Sequence, residues 1–221
     1  MNNFRLGVFD IFGYIVPGLF HIVLAILALN IVDLEQLNKT ISALSIYSVL
    51  TYSFLAYVIG FTTDAIAAPY LPFFMERIRG SLKDKVLQTF KEENPDSIIE
   101  KYHFGFIYAF ADVKAPNTRA KADIFSAMSS MARNISLAFL LYGVLSIGYA
   151  IANYGKTIWL HAIAKLLIAV IISILLLYRA YSFRSWSHGH LLNVYSILTE
   201  RFPDANLQKI ESSEGKSDEE K

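Results

Sequence analysis

Residues 158–178, IWLHAIAKLLIAVIISILLLY, carry a single charged side chain, Lys165. A helix rising 1.5 Å per residue needs about 20 apolar residues to cross the hydrocarbon core of a bilayer, and this run is long enough. It also meets the backbone condition, because a helix bonds its own N–H and C=O groups where water is absent. One such run would also suit a buried core helix. Three more apolar runs, at 11–31, 42–61 and 135–152, argue for a membrane instead. The chain is 54% hydrophobic with a mean hydropathy of +0.40, above the roughly 45–50% apolar content of a soluble domain. The sequence therefore reads as an all-α integral membrane protein: four transmembrane helices with cytosolic helical extensions.

The expected organisation follows from these runs. Residues 1–61 form a first transmembrane hairpin, 62–134 a cytosolic helical middle segment, and 135–178 a second hairpin. Residues 179–203 form a cytosolic helical extension and 204–221 a charged, disordered tail. Four spans put both termini on one side. The middle segment holds ten Lys and Arg, and Arg5, Arg179 and Arg184 lie on that side too, whereas Lys39 and Lys156 alone mark the external turns. Cations stay cytoplasmic, so both termini and the middle segment face the cytosol.

Local signals refine this plan. Pro17 and Gly18 interrupt the first run, so its first turns should bend or lie at the interface. The run exceeds a usual signal-peptide core and closes on no clear cleavage site, so it reads as a retained span. In the second run, Ala56 and Gly60 form a small-x-x-x-small pair that permits close helix approach. Residues 75–90 read as an amphipathic helix with Met75, Ile78, Leu82, Val86 and Phe90 on its apolar face. Such a helix lies on the inner leaflet or packs on other cytosolic helices, and both readings stand. Residues 98–110 are dense in aromatics and fit a helix or a strand. Asn117 is the expected N-cap of a helix that continues into the third span. The fourth span likewise runs on until Pro203.

Catalytic signals are sparse. The absence of cysteine excludes a thiolate zinc site and a cysteine nucleophile. There is no glycine-rich phosphate loop, no nucleophile elbow and no His-Glu-x-x-His. His188-Gly189-His190 lacks a third ligand and reads as interfacial polarity rather than a metal pair. The chain is expected to be no enzyme and to need no cofactor. Within the spans, His161 and Lys165 lie four apart on one helix face and, with His21 of the first span, are the candidate pore or gating residues. Snorkelling of Lys165 to the external headgroups is the competing reading. Candidate contacts for a cytosolic ligand or partner are Arg77, Arg79, Lys83, Lys101, His103, Arg184 and Trp186, basic and aromatic groups suited to anions or nucleobases.

The opening Phe9-Asp10-Ile11-Phe12-Gly13-Tyr14-Ile15-Val16-Pro17-Gly18, the four runs, the middle segment and the Tyr/Arg/Trp/His-rich stretch after the last run resemble small membrane components of bacterial anti-phage systems, such as the Kiwa and Hailong membrane subunits. The resemblance implies one of two roles and carries over no functional residue. The first is an oligomeric channel, a tetramer by expectation, held shut until infection and gated through its cytosolic face. The second is a membrane sensor or scaffold that recruits and regulates a cytosolic defence protein. The expected partners are the lipid bilayer, copies of the chain itself, and a cytosolic protein or a nucleotide or nucleic-acid ligand. A membrane enzyme is a third class.

Overall fold

The computed structural model describes residues 7, 10–29, 39, 45–70, 72–93, 104–153 and 156–201. No strand occurs among the described residues. Among the described residues, four helices are long and apolar enough to cross a membrane: α1 (Ile11–Ala28), α2 (Ile46–Ala67), α6 (Pro116–Asn153) and α7 (Lys156–Arg201). Between α2 and α6 lie a π-turn at Pro72–Glu76, the short α3 (Arg77–Arg79), α4 (Leu82–Glu93) and α5 (Phe104–Lys114).

Helices α6 and α7 have 38 and 46 residues. At 1.5 Å per residue they measure about 57 Å and 69 Å, roughly twice the hydrocarbon thickness. Both run on unbroken beyond their apolar runs, as the sequence predicts. Gly189 does not interrupt α7. The helix expected to begin after an Asn117 cap starts instead at Pro116, whose missing N–H is harmless in a first turn.

The α6–α7 hairpin is held by a seven-residue ladder. The hydroxyl of Ser187 donates to the carbonyl of Ala122 (3.0 Å), and Ser129 donates to that of Ala180 (2.8 Å). Ser136 and Ser173 share a hydroxyl–hydroxyl bond of 2.6 Å, and Gly143 packs on Leu166 and Ala169. Each rung lies seven residues from the next on both helices, in antiparallel register. A seven-residue repeat keeps one seam facing its partner with a left-handed supercoil. Small residues on that seam let the backbones approach, and the hydroxyl bonds tie one helix to the other.

Helices α1 and α2 cross just as closely. A Cβ on Gly18 would collide with the carbonyl of Ala56, and one on Gly60 with the carbonyl of Tyr14. Tyr14 packs edge-on against Tyr57 and Phe61, with ring centroids 5.6 and 5.5 Å away. The Ala56/Gly60 pair therefore serves contact between α1 and α2 of one chain.

The end of the bundle where α6 and α7 outrun α1 and α2, here the extension end, has a different interior. Leu82, Val86 and Phe90 of α4, Ile107 and Ala111 of α5, and Leu177, Tyr181, Leu191 and Leu192 of α7 form one buried apolar cluster. In water, burying one such side chain contributes about 1.5–3 kcal/mol. The apolar face of α4 thus packs on α7, the second of the two open readings for residues 75–90. The continuous helix expected over those residues is corrected. It breaks at Gly80, whose φ of 83° suits glycine, and Ile78 is 77% exposed while Met75, Leu82, Val86 and Phe90 are buried. Residues 104–114 are helical, which resolves the helix-or-strand ambiguity over that part. Tyr108 donates to Asp123, and Arg119 pairs with Asp112, tying α5 to α6. The expected tail at 204–221 and residues 30–38 lie outside the described residues.

Candidate functional site: a buried polar junction

A polar junction forms where α1, α2 and α6 meet, near the base of the extensions. Asp64 of α2 forms an ion pair with Arg133 of α6. The same Asp64 Oδ1 accepts hydrogen bonds from the Ser130 hydroxyl (2.6 Å) and from Nδ2 of Asn134 (3.0 Å). Arg133 is only 6% exposed, so a partner is required: an uncompensated charge there would be strongly destabilising.

Asn134 Nδ2 also donates to the carbonyl of Gly13 at 3.1 Å. That bond has a sequence cause. Pro17 lacks the N–H that would bond the carbonyl four residues earlier, and the first turns of α1 loosen into a π-turn at Ile11–Ile15. Asn134 supplies the missing donor from a neighbouring helix, which is how proline is accommodated inside apolar helices.

On the far side of Arg133 a cleft of about 160 Å³ lies beside the seam between α6 and α7. Ser126, Ser129, Ser130 and Arg133 line one wall, and Arg184, Ser187 and His188 the other. His188 is buried, and its pKa is lowered to about 4, first by burial and then by the charges of Arg184 and Lys83. It is therefore neutral at neutral pH. Beside the cleft, Trp186 is 44% exposed and sits in an aromatic cluster: Phe125 and Phe183 meet it edge-on at 5.7 and 5.6 Å, and the Arg179 guanidinium lies 5.2 Å from its ring.

The sequence candidates distribute as follows. His161 and Lys165 come together in a second cavity of about 290 Å³, walled also by Ala28, Ser146, Tyr149, Ile158 and Ala162, at the hairpin end of the bundle. The Lys165 ammonium lies 5.9 Å from the centre of the Tyr142 ring. His21 does not join them. It is buried in α1, hydrogen-bonded to the main chain of Asn134, with Nε2 unpartnered. Arg184 lines the cleft. Arg79 lies over the Tyr178 ring at 4.1 Å, while Arg77 and Lys83 are exposed on their own short elements. Lys101 and His103 lie outside the described residues.

Arg133, Asn134 and Ser130 escaped the sequence reading. Asp64 is not among those candidates either, although its carboxylate stands only three residues past the second apolar run. An Arg-Asn pair abutting an apolar run was the available signal, since polar groups at such depth need partners inside the protein. Among the described residues, no group of His, Asp and Glu is arranged to hold a metal ion.

Fold and site together define an all-helical chain, with four helices long and apolar enough to cross a membrane among the described residues and a polar junction at the base of two long helical extensions. Compared with known proteins, it matches no family model, no curated protein sequence and no solved structure.

Proposed function

We propose that this chain is a subunit of an oligomeric channel or pore in a bacterial inner membrane, gated through its cytosolic face as part of an anti-phage defence. The observation that carries the reading is the Asp64–Arg133 junction. It fastens α2 to α6 at the level where α6 becomes an extension. At rest the junction holds α2, the least covered of the four apolar helices, in its closed position, and a displacement of the extensions on the cytosolic side releases it. Both termini lie in the cytosol, by the distribution of Lys and Arg. The His161/Lys165 cavity provides a polar lining at the opposite end, where intramembrane charge is tolerated facing water or protein.

Because Ala56 and Gly60 are engaged by α1, self-association must use other surfaces. Among the described residues, the outward faces of α2 and α7 carry more exposed large apolar side chains than those of α1 and α6. Light scattering in mild detergent tests assembly: a homo-oligomer, a tetramer by expectation, supports the channel, and a monodisperse monomer removes it. Single cysteines introduced into this cysteine-free chain test topology. Positions 39 and 156 should react from outside intact cells and position 84 should not.

A second reading has its own observation. The exposed Trp186, flanked by Arg179 and Phe125, is a surface suited to docking a cytosolic protein or stacking a base. On this reading the chain is a sensor or scaffold. It predicts that Trp186→Ala abolishes capture of the cytosolic partner in a chain that conducts nothing.

A further inference from the structure

The cleft between α6 and α7 has an unusual chemical balance. Two guanidinium groups line it, Arg133 and Arg184, and no carboxylate does. The Arg133 charge is met from behind by Asp64, yet its Nε is buried and without a hydrogen-bond partner. Arg184 has no ion-pair partner among the described residues, and its side chain is exposed. Three of the four serines already donate elsewhere: Ser129 to Ala180, Ser130 to Asp64 and Ser187 to Ala122. Ser126 does not. The unused hydrogen-bonding capacity of the cleft is therefore concentrated in N–H groups of two arginines and one hydroxyl, all suited to oxygen atoms carrying negative charge.

Its size and position agree. The volume of about 160 Å³ equals roughly five waters at about 30 Å³ each, room for a tetrahedral oxyanion. Arg184 lies six residues past Tyr178, the end of the apolar run, or about 9 Å along the helix. The headgroup layer extends about 5–8 Å beyond the hydrocarbon on each side. The cleft thus stands at the boundary between lipid headgroups and water.

We propose that this cleft is a binding site for a phosphoryl oxyanion, gripped between the guanidinium groups of Arg184 and Arg133 and accepting a hydrogen bond from Ser126. Arginine suits this role because its planar fork donates paired bonds to phosphate oxygens. The phosphoryl group is carried by a lipid headgroup or by a phosphate-bearing solute from the cytosol. A bridge between the two walls adds a tie between α6 and α7 beside the serine rungs already there. The site rests on the channel reading only for its consequence. Binding itself is measured without flux, so either can fail alone.

The test uses the full chain in phosphatidylcholine nanodiscs and follows its thermal unfolding. In one arm inorganic phosphate is titrated; in the other phosphatidate is included in the disc. Saturable stabilisation by free phosphate assigns a soluble source, and stabilisation by phosphatidate alone assigns a lipid source. Either result supports the site provided that Arg184→Gln weakens the response about tenfold and Arg184→Lys restores part of it. Ser126→Leu, which fills the cleft without touching either arginine, should abolish the response. Arg184 is exposed, so Arg184→Gln should fold. If neither probe stabilises the protein, or if Arg184→Gln and Ser126→Leu respond as the unaltered chain does, the proposal is overturned.

Discussion

Arg133 of α6 and Asp64 of α2, 69 residues apart in sequence, form an ion pair inside the helix bundle. Removing one partner of such a pair leaves the other charged and poorly solvated, at about 3 kcal/mol. Asp64→Ala and Arg133→Ala should each lower stability by about that amount in detergent-solubilised protein. The double variant should lose less than the two together, because no orphan charge remains. Additive losses would show that the two residues act independently.

Gly60 and Gly148 make a matched pair of tests. A Cβ at Gly60 collides with the Tyr14 backbone, whereas one at Gly148 meets nothing within 4 Å. Gly60→Ala should destabilise the α1–α2 contact by about 2 kcal/mol, the usual cost of overpacking. Gly148→Ala should be neutral or slightly stabilising, since alanine is the better helix former. Thermal unfolding of both variants side by side reads the difference.

His188 should impose a pH dependence on stability. Burial lowers its pKa in the folded chain to about 4, against about 6.5 when unfolded. Between these values the unfolded chain binds more protons, so stability must rise with pH across that window. The contribution is complete above about pH 6.5 and is lost as pH falls toward 4. Its full size is roughly 3 kcal/mol. His188→Gln should flatten the slope of melting temperature against pH between 4.5 and 6.5, which differential scanning fluorimetry in pH-matched detergent buffers would show.

Much of the helical plan is legible in local sequence because hydrophobic runs and periodicity are local properties. The apolar helices α1, α2, α6 and α7 follow from hydrophobic runs that need no knowledge of partners, and so does the continuation of α6 and α7 past their apolar stretches. The apolar face of Leu82, Val86 and Phe90 was equally plain, although whether lipid or α7 would cover it was not. Gly80 shows the limit of periodicity: the spacing from Met75 to Phe90 is helical, while one positive φ breaks the helix. The junction was harder. Nothing near Asp64 names Arg133, and the link from Asn134 to Gly13 follows from Pro17 only once α1 is known to touch α6. The ladder of Ala122, Ser129, Ser136 and Gly143 was present in the sequence as a seven-residue repeat of small residues, hidden among larger apolar side chains.

Lys165 separates anchoring from a wetted cavity. If its ammonium merely reaches the external headgroups, Lys165→Leu leaves stability unchanged or raises it and alters no flux. In the channel reading, Lys165→Leu alters conductance while insertion and assembly persist, and Lys165→Glu shifts selectivity toward cations, as a ring of carboxylates would. Reversal-potential measurements on the assembled variants distinguish the two outcomes.

The proposed gating through α2 is tested most directly by planar-bilayer recording of Asp64→Ala beside the unaltered chain, both reconstituted as folded oligomers. Releasing α2 from Arg133 should open a pathway that the intact junction holds shut. The account predicts discrete single-channel currents from Asp64→Ala and few or none from the unaltered chain. Silence from both, with assembly and insertion verified in the same preparations, would contradict it.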